Sequence, residues 1–344
     1  MSITCGLQCL TCDYPINLDT YRGCSHACKY CFVKQKHTIE VVTPLKSVTQ
    51  LKHFIEGKRG CDTRWCDWKI PLHFGANTDP FQEAEKEYKC SYECLKIFAE
   101  TKYPVIISTK NPVLLSEEPY LSALQQCNAV LQVSMACSKY DKLETGAPTY
   151  EERLNAISLL SDKVKRVIVR VRPYFPDCHK DIISQIPRWK EAGAYGVSIG
   201  SFITKKKTKG MKRYGNNYMF PLELLETKYA EIKQLCHENG LRFFCCEEGM
   251  ECTGDDLTCC GTEGLEGFNP NRYNLSHLAY DEDTPQATEA MKQTNTYRPF
   301  KAIGQNQIFA KKIYGKSFEE LMLELGSDRI DYLKRCKERY DERE

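Results

Sequence analysis

Several things are missing from this 344-residue sequence, and each absence excludes something. No apolar run reaches the roughly 18 residues that a membrane-crossing helix needs. The start, Met1-Ser2-Ile3-Thr4-Cys5, lacks the basic segment and apolar stretch of a secretory leader. A cytoplasmic protein with no membrane partner is expected. An excess of charge of either sign is also missing: 48 basic residues face 46 acidic ones, for a formal net charge of +2 and a pI near 7.7. Global electrostatics therefore select neither nucleic acid nor membrane, and any such preference has to be local.

Cysteine, by contrast, is abundant. Twenty in 344 residues fall below the density of a small disulfide scaffold, yet are too many to be idle in a reducing compartment. Metal is the better explanation. The most informative set is Cys24-x-x-x-Cys28-x-x-Cys31, within Tyr21-Arg22-Gly23-Cys24-Ser25-His26-Ala27-Cys28-Lys29-Tyr30-Cys31-Phe32. Three soft thiolates on one short loop can bind three irons of a four-iron cluster, leaving the fourth open to a small ligand. Zinc is the alternative, but a structural zinc site wants a fourth nearby ligand. His26, between Cys24 and Cys28, is poorly placed to fold back onto the same metal.

From about residue 69 to 246, short β-branched runs alternate with longer amphipathic stretches, the pattern of βα units around a parallel sheet. Strands are predicted at 16–21, 69–74, 105–109, 130–135, 166–172, 196–200 and 241–245. Helices are predicted near 83–101, 113–126, 149–161, 179–193 and 221–239. Glu238-Asn239-Gly240 reads as a helix C-cap feeding the last strand. Three segments stand outside this 16–240 unit. The arm 1–15 carries Cys5, Cys9 and Cys12. Segment 241–283 carries Cys245, Cys246, Cys252, Cys259 and Cys260. Segment 284–344 is a polar extension ending in a charged helix over 317–343, with Leu321, Leu325, Ile330 and Leu333 placed to dock on the main unit.

The cysteine loop, with its aromatic Tyr30 just before the third cysteine, resembles the radical S-adenosylmethionine signature. The order of that loop, Thr78-Asp79-Pro80, Lys110 and Ser134 resembles the spore photoproduct lyase branch of that family, over about residues 16–200. The resemblance implies an α/β fold, a partial (β/α)6 TIM-type barrel, with chemistry at the strand ends. It implies a 4Fe-4S cluster on Cys24, Cys28 and Cys31, S-adenosylmethionine as cofactor, and a flavodoxin- or ferredoxin-type reductant. It also implies reductive cleavage of the cofactor to a 5′-deoxyadenosyl radical, which abstracts hydrogen from a substrate not identified by the sequence. Carried over by position, Tyr30 belongs to the cofactor site, Thr78 and Asp79 meet the methionine or ribose end, Lys110 the carboxylate, and Ser134 the ribose. An ordinary strand-end turn is the alternative reading for each. Arg170 and Arg172 alternate with Val169 and Val171, projecting to one face of a buried strand. They need an anion, which the cofactor, an acidic substrate or a barrel carboxylate would supply.

Two positions depart from the photoproduct lyase pattern. Ala76 stands where a hydrogen-donating cysteine is expected, and Phe32 where a tyrosine follows the third cluster cysteine, so thymine-dimer repair by that relay is not expected. Cys137, just past Ser134, is a candidate replacement donor; a buried inert thiol is the other reading. Cys5, Cys9, Cys12, Cys245, Cys246, Cys252, Cys259 and Cys260 form a possible second site for an iron–sulfur cluster or zinc, with unligated packing as the alternative. The run from Lys205 to Arg213, followed by Tyr214 and Tyr218, suits phosphate contact plus base stacking, or is simply a solvated loop. Nucleic-acid repair or modification is therefore a second reading. A non-catalytic cysteine-rich module binding metal or nucleic acid is a third, which the cofactor cradle of Thr78, Asp79 and Lys110 argues against.

Overall fold

The computed structural model describes residues 2–5, 12–33, 41–56, 69–214, 217–247, 250, 253–256 and 258–270. In chain order the first six strands are β1 (Ile3–Cys5), β2 (Ile16–Leu18), β3 (Tyr21–Arg22), β4 (Thr43–Pro44), β5 (Leu72–Phe74) and β6 (Val105–Thr109). The remaining six are β7 (Ala129–Ser134), β8 (Arg166–Tyr174), β9 (Gly196–Ser201), β10 (Lys212–Tyr214), β11 (Asn217–Met219) and β12 (Arg242–Cys245). Eight of them form one sheet, ordered β1-β2-β5-β6-β7-β8-β9-β12. All neighbours from β2 to β12 pair parallel; only β1 joins antiparallel. This is the parallel α/β sheet expected, and it is larger than the six-stranded barrel that the resemblance implied. β12 adds a seventh parallel strand beyond residue 240, and β1 extends the opposite edge.

Two small ribbons lie apart from the sheet, β3 with β4 and β10 with β11. The strand expected over 16–21 is thus divided, β2 entering the sheet and β3 turning out to carry the cysteine loop. The helices are α1 (Ser47–Ile55), α2 (Ala84–Tyr88), α3 (Cys90–Thr101), α4 (Pro112–Leu115), α5 (Tyr120–Gln125), α6 (Tyr150–Leu160), α7 (His179–Glu191) and α8 (Leu222–Glu238). The expected helix over 83–101 is broken at Lys89, whose φ of 51° is left-handed. The one over 113–126 is interrupted between α4 and α5. The charged helix expected over 317–343 lies outside the described residues.

Local chemistry explains the boundaries. Thr149 and Glu152 form a capping box that starts α6. α8 ends in a Schellman motif: Leu241 N–H donates to Cys236 O at 2.8 Å, Gly240 N–H donates to His237 O at 2.9 Å, and Gly240 takes φ +67°. That turn delivers β12 to the sheet edge. β6, β7 and β9 are buried along their whole length, as strands covered on both faces should be.

Register separates the two faces. Thr109, Val133, Val169, Val197 and Phe243 lie side by side across the strands. The four apolar members of that row belong to the buried core. The alternate rows are mixed: Ser108 and Gln132 continue into Ile168, and Ser134, Arg170 and Ser198 continue into Phe244. One face is therefore apolar along this row, while the other carries buried polar groups among apolar ones.

Candidate active site at the carboxyl ends of the strands

The lumen polar groups form a connected network. Ser108 Oγ donates to Gln132 Oε1 at 2.9 Å and accepts from Arg170 Nη1 at 3.1 Å. Its only proton is thereby used, so His73 Nε2, 2.7 Å away, is the donor in that contact. Burial, followed by the charges of Arg170 and Arg172, lowers His73 to about 3 and keeps its ring neutral.

The cysteine loop leaves β3 at Gly23, φ +86°, and is gripped from two sides. Gln82, fully buried, donates through Nε2 to Gly23 O at 3.1 Å and accepts from Ser25 N–H at 2.7 Å. On the other side Lys29 N–H donates to Leu143 O at 2.9 Å, and His26 Nδ1 donates to Gly146 O at 2.7 Å. His26 Nε2 lies 3.2 Å from Asp79 Oδ2. The grip brings the three loop thiols together, with Cys28 within electrostatic reach of both Cys24 and Cys31. Burial pushes Cys24 up to about 12, helped by Asp79, and Cys28 up to about 11, opposed by the Lys110 ammonium.

Among the described residues, no three His, Cys, Asp or Glu side chains are arranged around a single ion. A single zinc ion needs its sulfurs about 2.3 Å from one point. A cluster instead binds each thiolate at a different iron and takes a wider spacing. Cys24, Cys28 and Cys31 offer three soft thiol donors on one loop, the ligand chemistry that a cluster takes one sulfur per iron.

Asp79 accepts from Thr109 Oγ1 (2.8 Å) and Phe81 N–H (3.0 Å) on Oδ1, and from Lys110 N–H (2.6 Å) on Oδ2. Burial pushes its carboxyl up, but His26 and these bonds together outweigh burial and hold it below the ordinary range. Thr78 Oγ1 donates to Tyr21 O at 3.0 Å, and its N–H donates to Asp19 Oδ1 at 3.1 Å. Both side chains therefore fasten the turn after β5 to the cysteine loop and to β6. Lys110 Nζ stands 3.5 Å from Glu144 Oε1 and 5.7 Å from the Tyr30 ring centre. Tyr30 OH donates to Glu144, whose other oxygen accepts from Arg153 Nη2 at 2.6 Å. Ser134 is buried, its carbonyl held by Arg153 Nη1 at 2.8 Å.

Cys137 is 2% exposed; its thiol donates to Asp181 Oδ2 at 3.3 Å and hydrogen-bonds Cys178, the residue preceding α7. Cys245 and Cys246 face opposite sides of β12. Cys245 is buried beside Thr253, whereas Cys246 accepts from Arg172 in the lumen. Cys259 and Cys260 lie near Cys246, with Cys12 among their neighbours. Cys5 is in β1; Cys9 and Cys252 lie outside the described residues. The basic run is largely exposed, with Lys205, Lys206, Lys207 and Lys209 between β9 and β10, and Lys212 and Arg213 in β10 itself. Sequence reasoning missed Asp19, Gln82, Glu144, Arg153 and Cys178, which carry no spacing signal because they reach the site from separate loops.

No family model matches the chain. Over 216 residues it is 28% identical to uncharacterized proteins of Mycobacterium tuberculosis and Mycobacterium bovis, the match covering 57% of this chain. The chain spans 61% of the length of these curated relatives. Among solved structures, a mutant of spore photoproduct lyase is similar, with a TM-score of 0.52 at 14% identity over 67% of this chain and 76% of that one. The fold is thus of the partial (β/α) barrel class that this lyase also adopts. Among the described residues no helix is long and apolar enough to cross a membrane.

Proposed function

We propose that the chain is a radical S-adenosylmethionine enzyme. The observation carrying this reading is the three-thiol loop at the carboxyl ends of parallel strands, with Lys110 beside Cys28. When bound, a four-iron cluster with S-adenosylmethionine supplies a 5′-deoxyadenosyl radical that takes hydrogen from a substrate carbon.

The chain's own residues supply the rest. Cys24, Cys28 and Cys31 would hold the cluster as thiolates, with burial raising the Cys24 and Cys28 thiols above their ordinary range. Lys110, 14% exposed and facing the loop, offers its ammonium to the cofactor carboxylate. Tyr30, Ser134 and Arg170 are assigned to the same cofactor site on their positions in the sequence. Asp79, Thr78 and His26 act as positioning residues. The fit to the spore photoproduct lyase branch rests on the order of these motifs, while Ala76 and Phe32 point to a different hydrogen-return route and a different substrate. The exposed basic run favours an anionic substrate, nucleic acid included, as the second reading.

The test is anaerobic reconstitution with iron and sulfide, then chemical reduction in the presence of S-adenosylmethionine. We expect 5′-deoxyadenosine from the wild type and none from the C24A/C28A/C31A variant, which should lose about four irons per chain. Product from that variant would overturn the assignment. Supplied with spore photoproduct, the wild type should return no thymine.

A further inference from the structure

A second group of thiols lies in the lumen, apart from the cysteine loop. Arg172 Nη1 donates to Cys246 Sγ at 2.7 Å, and Cys246 hydrogen-bonds Cys259. The Sγ atoms of Cys259 and Cys260 are 3.9 Å apart, and Cys12 is a neighbour of both Cys259 and Arg172. Three segments bring these thiols together. Cys246 N–H donates to Ile199 O at 2.7 Å, and Ser198 Oγ donates to Cys259 O at 2.7 Å, fixing the strand end and the following loop against β9. Tyr14 OH and Thr262 Oγ1, 2.6 Å apart, tie the amino-terminal arm to that same loop.

The charges beside them are unbalanced. Among the described residues neither Arg170 nor Arg172 makes an ion pair with a carboxylate: Arg170 donates to Ser108, and Arg172 to Cys246. Glu247 is near Arg172, yet its oxygens accept from Ser201 N–H, Ser201 Oγ and Tyr229 OH. A guanidinium cannot shed its proton, and two of them inside a barrel require anions. Four neutral thiols supply no charge, and four bare thiolates supply twice too much. Four thiolates around divalent zinc, or around a doubly positive iron–sulfur core, leave a dianion that matches the two arginines.

We propose that Cys12, Cys246, Cys259 and Cys260 hold a second metal–thiolate centre, charge-balanced by Arg170 and Arg172. No three of these side chains already surround one ion among the described residues. The sulfurs therefore either close in on zinc or each take a different iron. Cys245 is outside the set because it faces the helices. The centre stands independently of S-adenosylmethionine cleavage.

The experiment measures iron, zinc and acid-labile sulfide in full-length protein purified anaerobically, as wild type, C24A/C28A/C31A and C246S/C259S. The triple variant should keep one metal centre per chain: iron with sulfide identifies a cluster, zinc without sulfide a tetrathiolate. C246S/C259S should lose that metal while keeping the iron of the cysteine loop, and Arg172→Met should make the retained metal easier to strip with a chelator. A folded triple variant free of metal overturns the proposal. If that variant does not fold, equal metal totals in wild type and C246S/C259S overturn it instead. Whether 5′-deoxyadenosine forms does not enter the result.

Discussion

Asp79→Asn separates a residue that touches the cofactor from one that holds the site together. The carboxylate is fully engaged by the chain: Oδ1 accepts from Thr109 and Phe81, and Oδ2 accepts from Lys110 N–H with His26 Nε2 3.2 Å away. An asparagine keeps one acceptor oxygen and turns the other position into a donor. Whichever way the amide is turned, a buried N–H faces another donor. That unsatisfied group costs about 1–3 kcal/mol, and the remaining bonds lose their charge assistance, roughly another 1 kcal/mol. A total near 3 kcal/mol corresponds to a fall of about 6–12 °C in Tm for a domain of this size. Thermal and urea unfolding of the variant would measure it. Asp79, held below the ordinary carboxylate range, contributes stability that is present above about pH 4 and lost as pH falls through its folded value. The gap between wild type and variant should therefore narrow in acid. Iron retention should also suffer, because His26 loses its partner. Stability within about 1 kcal/mol of wild type, combined with a large rise in KM for S-adenosylmethionine, would refute the reasoning and return Asp79 to direct cofactor contact.

Two further outcomes follow from single sites. Gly75, φ +85°, has no room for a methyl: a Cβ there would lie 2.4 Å from Ser108 O and 2.6 Å from Pro80 Cδ. Gly75→Ala should cost about 2–4 kcal/mol in urea unfolding, and a neutral result would mean the turn after β5 is not held as described. Burial raises Asp256 from 3.8 to about 6, so the folded state holds its proton more tightly and stability falls as pH rises between those values. Asp256→Asn should remove that fall, making the variant about 3 kcal/mol more stable than wild type at about pH 7 and equal to it below about pH 4; unfolding curves on either side of that window check the sign.

Much of the frame was legible in the chain because it is written in short-range patterns. The β-branched runs at 105–109 and 196–200 mark strands buried on both faces, and Glu238-Asn239-Gly240 marks a helix stop through the one residue that adopts a left-handed φ without strain. The spacing of Cys24, Cys28 and Cys31 is likewise local, and a loop that short cannot keep its thiols far apart. The alternation of Arg170 and Arg172 with valines put both side chains on one face.

What tertiary structure alone decided depends on contacts between distant segments. Glu144 and Arg153 become part of the site because the loop and helix after β7 return beneath Tyr30, 114 residues from Glu144 along the chain. Asp79 reads in sequence as a cofactor ligand, yet its partners Thr109 and Lys110 lie 30 and 31 residues on and engage both its oxygens. Cys245 and Cys246 are indistinguishable as letters. The pairing of β12 with β9 sends one thiol into the apolar core and the other against Arg172, because successive side chains of a strand point to opposite faces and the register says which face is the lumen.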